Sequence, residues 1–250
     1  TANNYGIITG NCQNLHLIKN TINSKENGIK LQTGNESIIA KNQITSNDSG
    51  LTLKDCKNLN CSYNQFTWGG ITFESSDNYA LVNTVFFENT LNGKPILFYY
   101  NESNIMVEEQ GGQLIALNCN NVTFQNMFLE SVSNPFILAY SENCYVANNT
   151  ITFSKTALKI LDSKNSTIEN NTIENNTYGI SIYGSDNNLI ITNDIKENEQ
   201  DGIKLENADS NTITRNVILQ NKIGLNILGT VINIIFQNNF IENNQNAKSV

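Results

Sequence analysis

Between Asn165 and Leu228 the chain repeats itself at a nearly fixed interval. Ile168, Ile190, Ile213 and Ile235 are 22, 23 and 22 residues apart, and Ile173, Ile195, Ile218 and Phe240 keep the same spacing. So do Asn171, Asn193, Asn216 and Asn238. Gly179, Gly202 and Gly224 each precede an apolar–polar–apolar triplet: Ile180–Ile182, Ile203–Leu205 and Leu225–Ile227. A short fixed period marks a repeat architecture, in which each unit buries its apolar face only by stacking on its neighbours. Within a period, apolar residues alternate with polar ones, as in strands with one buried face. Clusters of Asn, Gly, Asp and Ser separate the runs. Only two prolines interrupt 250 residues, so few ladder donors are lost. Three short strands and three turns per period predict an all-β, right-handed parallel β-helix. About eleven coils of 22 to 23 residues form a single domain over residues 1–250.

The formal charge is −8, and Arg215 is the only arginine. That excludes a nucleic-acid partner, which basic side chains would have to hold. It also weighs against an anionic membrane surface and against a polyanionic substrate. No apolar run is long enough to span a bilayer, so no direct membrane insertion is expected. No secretory leader is read at Thr1. The repeat is entered and left in mid-period, so the sequence reads as a segment of a larger protein.

The columns of the repeat have structural explanations. Cys12, Cys56 and Cys119 each lie five residues before a core position, where Gly34, Ser141, Ser163, Ser185, Ala208 and Thr230 stand in other coils. This is a small-residue corner, and the five cysteines are expected to be free, buried thiols. Cys12 and Cys56 are two coils, about 10 Å, apart, beyond disulfide reach. His16 alone cannot complete a zinc site, and no cofactor is expected. Asn20, Asn42 and Asn64 extend the asparagine column toward the N-terminus. They are expected to sit left-handed at a turn and to bond their neighbours above and below. An ice-binding or sugar-binding array would need a regular Thr or Asn face, whereas the exposed positions of the chain mix Lys, Glu and Thr.

From about residue 68 to 113 the register is lost. An extended loop or hairpin is expected within Asn89–Gln113. Ten of the 21 aromatic residues fall between Tyr63 and Tyr100. Trp68, Tyr99 and Tyr100, with the carboxylate of Glu88, are the candidate ligand-binding residues, because aromatic rings stack on sugars and loops on rigid scaffolds carry function. The alternative is that these rings fill space where the coil widens. Glycoside hydrolysis needs two carboxylates about 5 to 9 Å apart. Asp55 and Asp77 are one period apart, as are Asp186 and Asp209, and such pairs could share a proton or hold calcium. Asp55 and Asp77 are the weak metal candidates. Asp162 lies in a similar turn, and turn chemistry explains all five equally well. Asn35, Asn47, Asn60, Asn101, Asn121, Asn148, Asn165, Asn170 and Asn175 each begin a glycosylation sequon. With 47 Asn and 39 Ser plus Thr, about seven would arise by chance, so these nine are permissive only.

The rhythm Asn-x-Ile … Asn-x-Ile … Gly-Ile-x-Leu, from Asn165 to Ile182 and again from Asn211 to Ile227, resembles the NosD-like group of carbohydrate-binding and sugar-hydrolase repeats. The stretch Leu91–Asn126 resembles a segment of archaeal cell-surface proteins of this group. The resemblance implies an extracellular protein of the cell surface or envelope. Epimerase-type members carry Asp-Pro-His after Tyr-Gly, whereas Tyr178–Gly179 is followed here by Ile180, Ser181 and Ile182. Copper-associated members would want His or Met ligands, and this chain has one His and two Met. The expected role is a structural or adhesive module, more a scaffold than an enzyme, that self-associates through open sheet ends. The alternative is a carbohydrate-binding or carbohydrate-processing module acting through residues 63–113, with cell-surface glycans as partners.

Overall fold

In the computed structural model, which describes residues 3–74 and 83–249, every helix-or-strand element among the described residues is a strand. The chain is an all-β parallel solenoid of about eleven turns. It divides into two compact units, Thr1–Leu97 with Val132–Asn134, and Phe98–Ser131 with Pro135–Val250.

The second unit shows how the period becomes structure. One coil consists of strands Thr167–Glu169, Thr172–Glu174 and Tyr178–Tyr183. Each strand pairs in parallel with its counterpart one coil away. Ile168 sits opposite Ile190, Ile173 opposite Ile195, and Ile180 opposite Ile203. The sequence columns are therefore columns in space, and they converge on one core. Ile168, Ile173, Ile190, Ile195, Ile213 and Ile218 are fully buried. Near the start of the unit Phe124 and Phe136 meet edge to face at 5.6 Å inside the same core. β-Branched side chains suit these positions because their restricted rotamers cost least on a pleated surface.

The corners are held by asparagine amides. Asn193 Nδ2 donates to the Ile168 carbonyl (2.9 Å) and to Asn216 Oδ1 (3.0 Å). Its own Oδ1 accepts from the backbone N–H (3.0 Å) and Nδ2 (2.9 Å) of Asn171. The pattern runs from Asn149 to Asn238 at one corner and from Asn176 to Asn243 at a second. Asn188 and Asn211 begin a third. The first unit has its own ladder, Asn20–Asn42–Asn64–Asn89. A buried primary amide with each hydrogen and lone pair engaged is stable where a half-satisfied one is costly.

One expectation is corrected. The ladder asparagines are not left-handed; the residue before each one is. Asn170, Thr192, Arg215 and Gln237 have φ of 52°, 53°, 57° and 54°. The left-handed residue turns the chain and sends its own side chain outward, which leaves the next side chain aimed between coils. The αL position thus tolerates Thr, Arg or Gln, while the ladder position demands Asn. Six sequon asparagines, Asn101, Asn121, Asn148, Asn165, Asn170 and Asn175, occupy such αL positions. In Asn170–Thr172 the sequon is simply αL residue, ladder residue and outward strand residue.

Two substitutions at adjacent positions should therefore move stability in opposite directions. Asn193→Ala takes the side-chain partner from the buried Asn171 N–H and from the Ile168 carbonyl, and should cost about 3 kcal/mol in denaturant unfolding. Thr192→Asn relieves a β-branched residue at positive φ and should stabilise by about 1 kcal/mol.

Candidate functional site: an uncharged face in the first unit

The first unit contains three sheet faces, and one of them is unusual in its chemistry. Strand Gln43–Ser46 pairs on one side with the start of Thr21–Gln32 and on the other with Gln65–Trp68; Thr90–Leu91 follows. Ile22, Ile44, Phe66 and Leu91 point inward and are buried. The alternation of a strand then sends Thr21, Gln43, Gln65 and Thr90 outward as one column, and Asn23, Thr45 and Thr67 as the next. Rows are about 4.8 Å apart and columns about 7 Å apart. All seven outward side chains are neutral hydrogen-bonding groups. The chain as a whole is 15% charged, and none of these seven positions carries a charge. The mixture of Lys, Glu and Thr expected of the exposed positions describes the chain as a whole and not this face.

Aromatic rings border the face at both ends. At the far end of strand Gln65–Trp68, Trp68 occupies the register of Ser24 and Ser46, whose side chains are buried. An indole does not fit that slot. Trp68 instead adopts φ 69°, which turns its ring outward, and it is 53% exposed. A bulky residue at positive φ is strained by about 1–3 kcal/mol, and here no burial compensates. At the other corner Tyr63 has φ 56° and is 49% exposed. Phe87 packs edge-on against it at 5.6 Å, and Lys41 Nζ lies 5.9 Å from its ring centroid. Four residues separate Tyr63 from Trp68, and because the segment includes the corner at Tyr63 the two lie at most about 16 Å apart.

The other sequence candidates are placed as follows. Glu88 is exposed at φ 51° directly after Phe87, at the Tyr63 end of the face. Tyr99 and Tyr100 belong to the second unit. Tyr99 packs against Phe124 at 5.9 Å, and burial, helped by Glu109 and Glu102, raises its phenol pKa. Tyr100 stacks on Phe98 at 6.4 Å. Asp55 is an exposed turn residue at φ 51°, and Asp77 lies outside the described residues. In the second unit Asp186 Oδ1 accepts the Asp209 N–H (2.7 Å), and Asp209 Oδ1 accepts the Val231 N–H (2.6 Å). Both carboxylates cap backbone. Burial raises the Asp162 pKa. Asn35 and Asn60 also make side-chain bonds, to Asn58 Nδ2 and Ser62 Oγ, whereas Asn47 is exposed. Sequence reasoning passed over the Thr and Gln columns. Their signal is the triplet Thr21-Ile22-Asn23, Gln43-Ile44-Thr45, Gln65-Phe66-Thr67 at intervals of 22 residues.

The family model described as periplasmic copper-binding protein (NosD) matches residues 83–250, two thirds of the sequence. The chain belongs to the NosD family. A second model, the right handed beta helix region, matches residues 1–111. Among solved structures, the chain is similar to the A-module of Azotobacter vinelandii mannuronan C-5 epimerase AlgE6, at 13% identity and a TM-score of 0.47 over 89% of this chain and 70% of that one. It is similar to a double mutant of the periplasmic alginate epimerase AlgG, at 13% identity and a TM-score of 0.48 over 90% and 77%. The DFA-IIIase of Arthrobacter chlorophenolicus A6 follows at 9% identity and a TM-score of 0.47 over 89% and 56%. None of the curated proteins matches in sequence.

The family description raises copper, and the donor set does not fit it. Every Cys, Met and His of the sequence lies in the described residues. Among the described residues no three of His, Cys, Asp and Glu gather into a metal-sized group. Cys56, Cys61, Cys119 and Cys144 are buried, and Cys12, unlike the others, is half-buried. Burial pushes Cys61 up to about 12 and Cys119 up to about 11, whereas copper binds the thiolate. Met127 is in the core, and exposed Met106 accepts from Gln125 Nε2. His16 stands exposed on strand His16–Ile18. Titration with Cu(I) or Cu(II) should therefore find no tight stoichiometric site. A thiol reagent at pH 8 should label half-buried Cys12 first and leave buried Cys61 untouched until unfolding.

Proposed function

We propose that this chain binds a neutral glycan laid across the uncharged face of the first unit. The observation that carries the reading is that face itself: seven neutral donors and acceptors on four stacked strands, with exposed Trp68 at one end and Tyr63 at the other. A sugar chain offers hydroxyls along its edges and C–H surfaces on its ring faces. Thr, Gln and Asn match the first, and indole and phenol match the second. The span of at most about 16 Å accommodates up to about three sugar rings. The seven side chains offer a polyanion no cation and the formal charge of −8 opposes it, while Lys19 and Lys41, in the register of Tyr63, set a cationic border at that edge only. The reading is one of binding, because Asp186 and Asp209 cap backbone and Asp55 stands in an exposed turn. It acts outside the cytoplasmic membrane, in keeping with the periplasmic setting of the family description.

Trp68 is the only tryptophan, so its fluorescence reports on the site without a label. Neutral oligosaccharides of three or more residues should shift its emission saturably, and Trp68→Ala should weaken binding, measured calorimetrically, about tenfold. A panel of neutral glycans that leaves both the emission and the heat unchanged contradicts the reading. A uronic-acid oligomer that binds more tightly than any neutral one contradicts the charge argument.

A stiff structural or adhesive module is the second reading, favoured by the continuous amide ladders. It predicts assembly with rising concentration. A particle that remains monomeric from nanomolar to high micromolar concentration, by mass photometry and sedimentation, contradicts the self-association it includes.

A further inference from the structure

We infer that Asn92 is the residue that positions Trp68; its consequence for glycan affinity rests on the reading above, while its effect on the indole does not. Trp68 lies where its supporting sheet runs out. Gln65 and Phe66 pair with Thr90 and Leu91, and the next residue, Asn92, still donates its N–H to the Phe66 carbonyl at 3.0 Å. The chain then reverses. Thr90 and Leu91 pair antiparallel with Pro95 and Lys94, through a two-residue turn made of Asn92 and Gly93 at φ 51° and 78°. Asn-Gly is the pair best suited to two consecutive positive φ values in a tight hairpin. Because the neighbouring strand has turned away, the Trp68 N–H has no parallel strand to bond.

The Asn92 side chain replaces the missing strand. Its Oδ1 accepts the Trp68 N–H at 3.0 Å. Asn92 is thereby fixed to strand Gln65–Trp68 twice, by its backbone to Phe66 and by its side chain to Trp68, on either side of Thr67. In the ladders the same kind of bond holds the next corner in place, as where Asn64 N–H meets Asn89 Oδ1 at 3.1 Å. Here it holds a strained residue whose ring is in solvent. Without that acceptor, Trp68 can relax toward negative φ, and the indole leaves the edge of the Thr and Gln columns. Two demands therefore converge on position 92. The turn needs a residue that tolerates positive φ, and Trp68 needs an acceptor.

Two substitutions separate these demands. Asn92→Gly keeps the turn and removes the acceptor; Asn92→Asp keeps both. The readouts are near-UV circular dichroism and fluorescence anisotropy of Trp68 in the unliganded protein, the melting temperature, and affinity for the best neutral oligosaccharide. Asn92→Gly should lower the Trp68 anisotropy and flatten its near-UV signal with the melting temperature little changed. It should weaken glycan binding by no more than the roughly tenfold expected of Trp68→Ala, since the indole is misplaced rather than removed. Asn92→Asp should retain both signals. An Asn92→Gly protein whose indole signals match the parent overturns the positioning role. So does one whose indole signals change only in step with a general loss of stability. If the indole signals respond as expected while no glycan binds the parent, positioning stands and the glycan reading fails.

Discussion

The structure depends on one hydrogen-bonded unit, the asparagine side chain buried between successive coils. A parallel strand pair is held by slanted bonds that are individually modest. The amide ladder adds bonds that only one register satisfies. Asn193 reaches back to the Ile168 carbonyl and is joined to Asn171 and Asn216 on either side. A slip by one residue would place an outward side chain at the corner and leave those groups unpaired in a dry interior. The ladder thus fixes the coil boundary, and the isoleucine columns follow from it.

With the interior specified by corner amides and core isoleucines, the outward positions are free to vary. The first unit uses that freedom on one face, where the seven outward residues of the two columns are all Thr, Gln or Asn. The aromatic residues at its corners use the same device as the scaffold. An αL residue at a coil corner projects outward, whatever its type, so Tyr63 and Trp68 are presented by the geometry that presents Lys19 and Lys41 in the Tyr63 column and Thr192 in the second unit. What distinguishes Trp68 is that the neighbouring strand ends at Leu91, and a hairpin residue stands in for its continuation.

Much of this was legible in the sequence. The spacing of 22 and 23 residues between Ile168, Ile190 and Ile213 pointed to the fold, and the family resemblance agrees with the NosD match. The small corner column and the hairpin in the 89–113 stretch were also readable. The αL assignment missed by one residue, because a run such as Asn170–Asn171 does not reveal which asparagine turns the chain and which bridges coils. The uncharged face was missed for a different reason. Outward residues of three faces are interleaved along the chain, so a neutral face is hidden among charged neighbours until the strands are assigned to faces. Trp68 drew notice as an aromatic, but its exposure follows from the buried Ser24 and Ser46 in its register, which only pairing shows. Tyr99 and Tyr100, its sequence companions, belong to the second unit, where Tyr99 joins the core.

The central claim is that the uncharged face is where this chain meets its ligand. The most direct measurement is NMR shift mapping on isotopically labelled protein with a neutral oligosaccharide. The account predicts perturbations concentrated at the side-chain amides of Gln43 and Gln65, at Thr45 and Thr67, and at the Trp68 indole N–H. Perturbations centred on another face, with these residues unmoved at saturation, would contradict it.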